Sequence, residues 1–161
     1  PEQRRVFRMI PGLAQAEFLR YGVMHRNSFV DSPHALDATF AIPGSHTRLA
    51  GQITGTEGYV EAIASGLLAA LNTYAELSGL PYPSLPQTGA LGSLVAYATN
   101  PATVGYQPMH VNFGLVPPLE DAPRRKDDRR RLMAERACTD MTAFVEERQD
   151  LFAAARQESV S

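Results

Sequence analysis

Three glycines, Gly51, Gly55 and Gly58, stand close together at the mouth of an apolar stretch, in LAGQITGTEGYVEAIASGLL, with Gln52, Thr54, Glu57 and Tyr59 between and beside them. Glycine lets the main chain approach a ligand closely, and a helix start offers unpaired N–H donors with a partial positive charge. The turn therefore reads as a cradle for an anion or a cofactor. A plainer explanation is that the glycines only allow a tight strand-to-helix turn, and on these residues alone it is the stronger one, because an isolated glycine turn is a weak signal.

Three other groups carry reactive or charged chemistry. His25, Arg26 and Asn27 lie in VMHRNSFVDSP, which has the β-branched and aromatic content of a strand; their simplest reading is a half-exposed strand with its polar side in water. RRKDDRRR brings Arg124, Arg125, Lys126, Arg129, Arg130 and Arg131 together around Asp127 and Asp128. Such a run suits the phosphates of a nucleic acid, and it equally suits a solvated helix face laced with intrahelical ion pairs; both readings stay open. Cys138 follows Arg136, which would favour a thiolate, but its place inside a helical pattern makes a packed structural cysteine the expectation. As the only cysteine it excludes an internal disulfide framework and a zinc site of several thiolates, and the four histidines have no metal-ligand spacing.

These groups need elements to hold them. Residues 11–22 read as a short helix between Pro11 and Gly22, following an opening segment that is Arg-rich and extended-looking. Residues 34–53 read as two short extended runs with a turn at Pro43 and Gly44, and residues 49–53 as a buried strand feeding the glycine turn. Helical spacing of Val60, Ile63, Ala64, Leu67, Leu68, Leu71 and Tyr74 predicts a helix over residues 57–77, with small residues on its other sides so that it packs on more than one face. Gly79 and prolines 81, 83 and 86 stop it. A second helix is expected over residues 90–99, then an apolar aperiodic stretch, residues 104–119, laid across another surface. One or two amphipathic helices follow from residue 123 to about 156.

With 161 residues, 44% of them hydrophobic, the chain can bury one real core. A net charge of −2 says little about partners when clusters are as basic as that at 124–131. Nothing resembles a charged-then-apolar leader, and no apolar run nears the ~18 residues that would cross a bilayer, so a soluble, cytoplasmic chain with no membrane partner is expected. The absent initiator methionine and the opening PEQRRVFRMIPGL read as a piece of a larger protein.

Four ordered blocks are specific: IPGLAQAEFLRYGVMHRNSFVDSP, LAGQITGTEGYVEAIASGLLAALN, TGALGSLVAYAT and YQPMHVNFGLVPPL. Together they resemble the C-terminal part of the flavin- and folate-dependent tRNA (uracil-5-)-methyltransferases, the TrmFO family, over nearly all of the chain to Leu119 and more loosely beyond. The second block is also similar to the related flavoprotein that modifies wobble uridines; YGVMHRNSF and QPMHVNFGL favour the methyltransferase. The resemblance implies an α/β fold: a partial FAD-binding Rossmann-like domain, with the end of an inserted domain over residues 1–45, the C-terminal strand and helix of the FAD domain over 46–122, and C-terminal helices over 123–161. It implies methylation of uridine C5 in the T-loop of tRNA with methylenetetrahydrofolate, reduced FAD and NAD(P)H. It also assigns Gly51, Gln52, Thr54, Gly55, Glu57, Gly58 and Tyr59 to the isoalloxazine end of the flavin, and His25, Arg26 and Asn27, with Tyr59 as a stacking face, to folate. The basic run would meet tRNA. No G-x-G-x-x-G is present for the pyrophosphate, so the chain alone is expected to be inactive and to need a missing N-terminal FAD domain. Apolar faces left open by that loss predict a homo-oligomer. The alternative is a non-catalytic module that binds tRNA or protein.

Overall fold

The computed structural model describes residues 2–19, 21–22 and 28–152. It is mostly helical: α1 (Glu2–Phe7), α2 (Ser32–Ala35), a 3-10 turn (Gly51–Thr54), α3 (Tyr59–Ser78), α4 (Ala90–Thr99), α5 (Lys126–Glu147) and a closing 3-10 turn (Gln149–Leu151). Among the described residues, β pairing is limited to two isolated bridges, Ala41 with Arg48 antiparallel and Thr56 with Met109 parallel. The α/β expectation therefore meets a helical structure here.

Several local expectations change for identifiable reasons. Residues 49–53 do not form a buried strand. Gly51 at φ 75° and Gly55 at φ 77° coil the chain into the 3-10 turn, and Ile53 is left exposed. The helix expected after Pro11 is replaced by successive turns, Leu13 N–H to Ile10 O and Ala16 N–H to Leu13 O, with Gly12 at φ 87°. The Arg-rich opening is instead the helix, α1, built from straight-chain residues that keep most rotamer freedom in a helix and from an Arg5–Glu2 pair at 2.9 Å. Of the strand expected around His25, Arg26 and Asn27, residues 23–27 lie outside the described residues. Its far end, Ser32–Pro33, starts α2, where proline suits the first turn.

α3 is the spine. It ends in a Schellman closure: Leu80 N–H reaches Ala75 O at 2.8 Å and Gly79 N–H reaches Glu76 O at 3.3 Å, with Gly79 in the left-handed region. Its buried face is Ser65, Leu68, Asn72 and Ala75. The opposite face, Val60, Ile63, Leu67, Ala70, Tyr74 and Leu77, alternates three- and four-residue steps like a coiled-coil seam, yet lies open: Ile63 is 74% and Leu77 84% exposed. The helix therefore packs on one side only, not on several.

Leu68 joins Leu36, Phe40, Ala98 and Tyr106 in one core cluster. Ala75 joins Phe144 and Leu151 in a second, and Leu85 packs against both. Gly92 allows α4 to close on the proline connector, since a Cβ there would lie 2.7 Å from the Pro86 carbonyl carbon. Arginines fasten α5 to extended segments that have lost donors to proline. Arg136 donates to the carbonyls of Pro117 and Pro118, and Arg148 to those of Pro81 (2.8 Å) and Tyr82 (3.4 Å). Residues 109–119 are thus laid over α5 and the glycine turn, as their apolar, aperiodic sequence implies.

Candidate functional site

The glycine turn is organised from within by hydroxyls. Gly51 N–H donates to Ser65 Oγ on α3 at 2.7 Å, while the Gly51 carbonyl accepts from Thr54 Oγ1 (2.7 Å) and Thr56 Oγ1 (2.9 Å). Thr54, Thr56 and Ser65 are fully buried, so these bonds replace the water that their hydroxyls would otherwise need. The Thr54 carbonyl in turn accepts Ser32 Oγ at 3.0 Å and Tyr106 Oη at 2.6 Å. Burial is the main cause that pushes the Tyr106 phenol up to about 12, which keeps it a donor to that carbonyl. Gly55 is required beside it: a Cβ there would sit 2.8 Å from Tyr106 Cζ and closer to the hydroxyl.

On the outer side the turn is stapled to residue 109, with Met109 N–H to Gly55 O at 2.9 Å and Glu57 N–H to Met109 O at 3.1 Å. This brings His110 to the start of α3, with Nε2 3.6 Å from Glu57 and Nδ1 3.8 Å from Glu61; Glu61 also accepts Val111 N–H at 3.3 Å. Gly58, at φ 95°, gives α3 no side-chain cap, and a Cβ on it would meet the Glu61 carboxyl carbon at 2.7 Å and His110 Nδ1 at 3.0 Å. Having no side chain, Gly58 contributes no cap to the first turn of α3, which opens on Tyr59, 93% exposed. Two carboxylates at this mouth oppose a bare phosphate. They suit a neutral, hydrogen-bonding ring edge better.

Of the seven residues assigned to the flavin end, Gln52 and Tyr59 face outward, Gly51, Glu57 and Gly58 are half-buried, and Thr54 and Gly55 are buried scaffold. His25, Arg26 and Asn27 lie outside the described residues. Sequence reasoning missed Ser32, Thr56, Glu61, Ser65, Tyr106 and His110. Ser32, Glu61, Ser65 and Tyr106 signal only through contacts distant in sequence, whereas Thr56 stood within the glycine stretch and His110 in QPMHVNFGL beside an apolar block.

The basic run straddles the start of α5. Arg131 pairs with Glu135 at 2.8 Å, Arg125 with Asp128 at 4.0 Å, and the Arg130 guanidinium lies 5.5 Å from the Phe113 ring centroid. The side chains of Arg124, Lys126 and Arg129 have no partner among the described residues. Half the run is thus tied to neighbours and half is free. Beside it, an apolar cavity of about 320 Å³ opens between residues 111–116 and α5, walled by Val111, Phe113, Val116, Met133, Ala134 and Cys138. Cys138 is exposed at this wall, against the expectation of a packed cysteine, because it sits on the side of α5 away from buried Phe144. No group of three or more potential metal ligands occurs among the described residues. No helix among them is long and apolar enough to cross a membrane.

A mostly helical domain with a hydroxyl-braced glycine turn at an uncapped helix start matches, over residues 1–81, the family described as Glucose inhibited division protein A. The chain belongs to that family. It is 52% identical over 146 residues to methylenetetrahydrofolate–tRNA-(uracil-5-)-methyltransferase TrmFO of Geobacter sulfurreducens, covering 90% of this chain and 33% of that protein. TrmFO of Streptococcus agalactiae is 50% identical over 147 residues (89% and 33%), and that of Methylobacterium radiotolerans 46% over 170 residues (92% and 36%). These similarities bear out the resemblance read from the four sequence blocks. The chain spans about a third of the length of the curated relatives it matches.

Proposed function

We propose that this chain is the C-terminal part of a tRNA methyltransferase that places a methyl group on uridine C5 in the T-loop, using methylenetetrahydrofolate, reduced FAD and NAD(P)H in the cytoplasm. The observation that carries this reading is 46–52% identity along about nine-tenths of the chain to proteins of that name. The chain is inactive alone, with residues 1–45 closing an inserted domain, 46–122 completing a Rossmann-like FAD domain and 123–161 forming the C-terminal helices. The open seam of α3 supports a missing neighbour: a helix that covers a sheet in an α/β layer shows such an apolar stripe when the sheet is not there.

The glycine turn fits the ring end of a flavin and not its pyrophosphate. Gly58 leaves room between Glu61 and His110 that a Cβ would fill, it gives the first turn of α3 no side-chain cap, and Glu57 and Glu61 would repel phosphate. When bound, FAD supplies the redox and one-carbon-carrying chemistry. The chain's own residues bind and orient: Tyr59 offers a flat face to a pterin, Gln52 a hydrogen-bonding amide, and the Thr54–Thr56–Ser65 hydroxyls hold the turn in register. His25, Arg26 and Asn27 contact the folate edge and its anionic tail, and the basic run meets tRNA phosphates. In the full-length protein, Tyr59→Ala should lower methyl transfer by about 10- to 100-fold through lost positioning while tRNA affinity stays within twofold or so. Equal losses in both, or none in transfer, would remove Tyr59 from the folate site.

A further inference from the structure

We propose that the cavity between Phe113 and α5 is a stacking slot for an unpaired nucleotide of an RNA ligand, with the cations of the same helix face holding its phosphates. The proposal rests on the tRNA reading above and adds to it which part of the RNA this face takes. Lys126, Arg129 and Arg130 lie about one to three turns before Met133, Ala134 and Ala137 on the same side of α5, so these charges lead directly into the apolar wall. Phe113 is 45% exposed and already carries a guanidinium, Arg130, over its ring. A base bound there would have an aromatic face, a cation–π neighbour and an apolar floor, the combination by which proteins hold single-stranded nucleic acid.

The segment bearing Phe113 is braced to receive a ligand. Asn112 donates to His110 O at 3.0 Å and accepts Gly114 N–H at 2.9 Å, and Arg136 anchors the chain at Pro117 and Pro118. A duplex stacks its own bases and offers this slot none, so the geometry favours a loop or a single strand over a paired stem. An acidic protein segment would satisfy the cations, but it has no use for the ring and the slot.

The probe is a fluorescein-labelled octauridine, with a second version carrying one 2-aminopurine, added to the 161-residue chain; an eight-base-pair RNA duplex and a polyglutamate peptide are competitors. Octauridine should bind more tightly than the duplex, and the 2-aminopurine emission should fall on binding. Phe113→Ala should weaken octauridine about tenfold and abolish the emission change, leaving the slope of log affinity against log salt unaltered. Phe113→Trp should restore both. Ala134→Leu, which fills the slot from an exposed helical position, should copy Phe113→Ala without disturbing the fold. Arg124→Ala with Arg129→Ala should lower the salt slope by about 1.4 and keep the emission change. The slot is overturned if the duplex or polyglutamate competes as well as octauridine, or if Phe113→Ala and Ala134→Leu leave affinity and emission unchanged. The tRNA reading fails separately: octauridine would then behave as described, but a T-arm hairpin would not displace it.

Discussion

Gly55→Ala tests whether the glycine turn is held by the buried contacts described above. At φ 77° an alanine is placed in the left-handed region, which costs roughly 1–2 kcal/mol. Its Cβ would also stand 2.8 Å from Tyr106 Cζ, so the ring must move and its 2.6 Å bond to the Thr54 carbonyl is lost. That bond contributes about 1 kcal/mol net. Together the substitution should cost about 2–3 kcal/mol. Tyr106→Phe alone should cost about 1 kcal/mol, since Ser32 Oγ still donates to the same carbonyl. The double variant should be little worse than Gly55→Ala, because the hydrogen bond can be lost only once; the coupling should be about 1 kcal/mol. The chain has no tryptophan, so urea unfolding is followed by helical circular dichroism at fixed protein concentration. A Gly55→Ala cost below about 0.5 kcal/mol, or strict additivity with Tyr106→Phe, would refute the reasoning.

The open seam of α3 should drive self-association of the isolated chain. Ile63→Lys with Leu67→Lys should shift sedimentation toward monomer, and a wild-type monomer at high concentration would count against the seam as an interface. The isolated chain should emerge from purification without flavin, since it holds no glycine-rich pyrophosphate loop; stoichiometric flavin absorbance would contradict this. Burial raises the Asp37 carboxyl, but bonds from the Thr39 hydroxyl and the Thr39 and Ala41 N–H groups outweigh it and leave it below its ordinary value. Its stabilisation is therefore full above the unfolded value of about 3.9 and is lost as pH falls through the lower folded one. Asp37→Asn should lower Tm at pH 7, and the gap from wild type should close below about pH 4; a gap that persists in acid would rule out this linkage.

The long periodic elements were legible in the sequence. The helix expected over 90–99 is α4, Ala90–Thr99, and that expected over 57–77 is α3, Tyr59–Ser78, because spacing and terminal glycines act locally. The strands were not, since a strand requires a pairing partner. Among the described residues, 49–53 form no β bridge, only single backbone bonds of Leu49 to Phe40 and of Val30 to Ile53, and two positive-φ glycines take the chain elsewhere. The same limit applies to the site. The glycines of the turn could be read directly, but Ser65, Tyr106 and His110 reach it through contacts 14 to 53 residues away in sequence. Phe40 is a similar case: fully buried at φ 60°, it adopts a conformation that its own side chain disfavours and that only the surrounding core can impose.

The central claim is membership in a folate-dependent tRNA (uracil-5-)-methyltransferase, and label transfer addresses it most directly. The full-length protein is incubated with NAD(P)H, FAD, methylenetetrahydrofolate labelled in its methylene carbon, and unmodified tRNA, and the nucleosides are then separated. The label should appear in 5-methyluridine from the T-loop, and it should fall with Tyr59→Ala. Label confined to a wobble uridine, or a tRNA that stays unlabelled while the protein holds its flavin, would contradict the account.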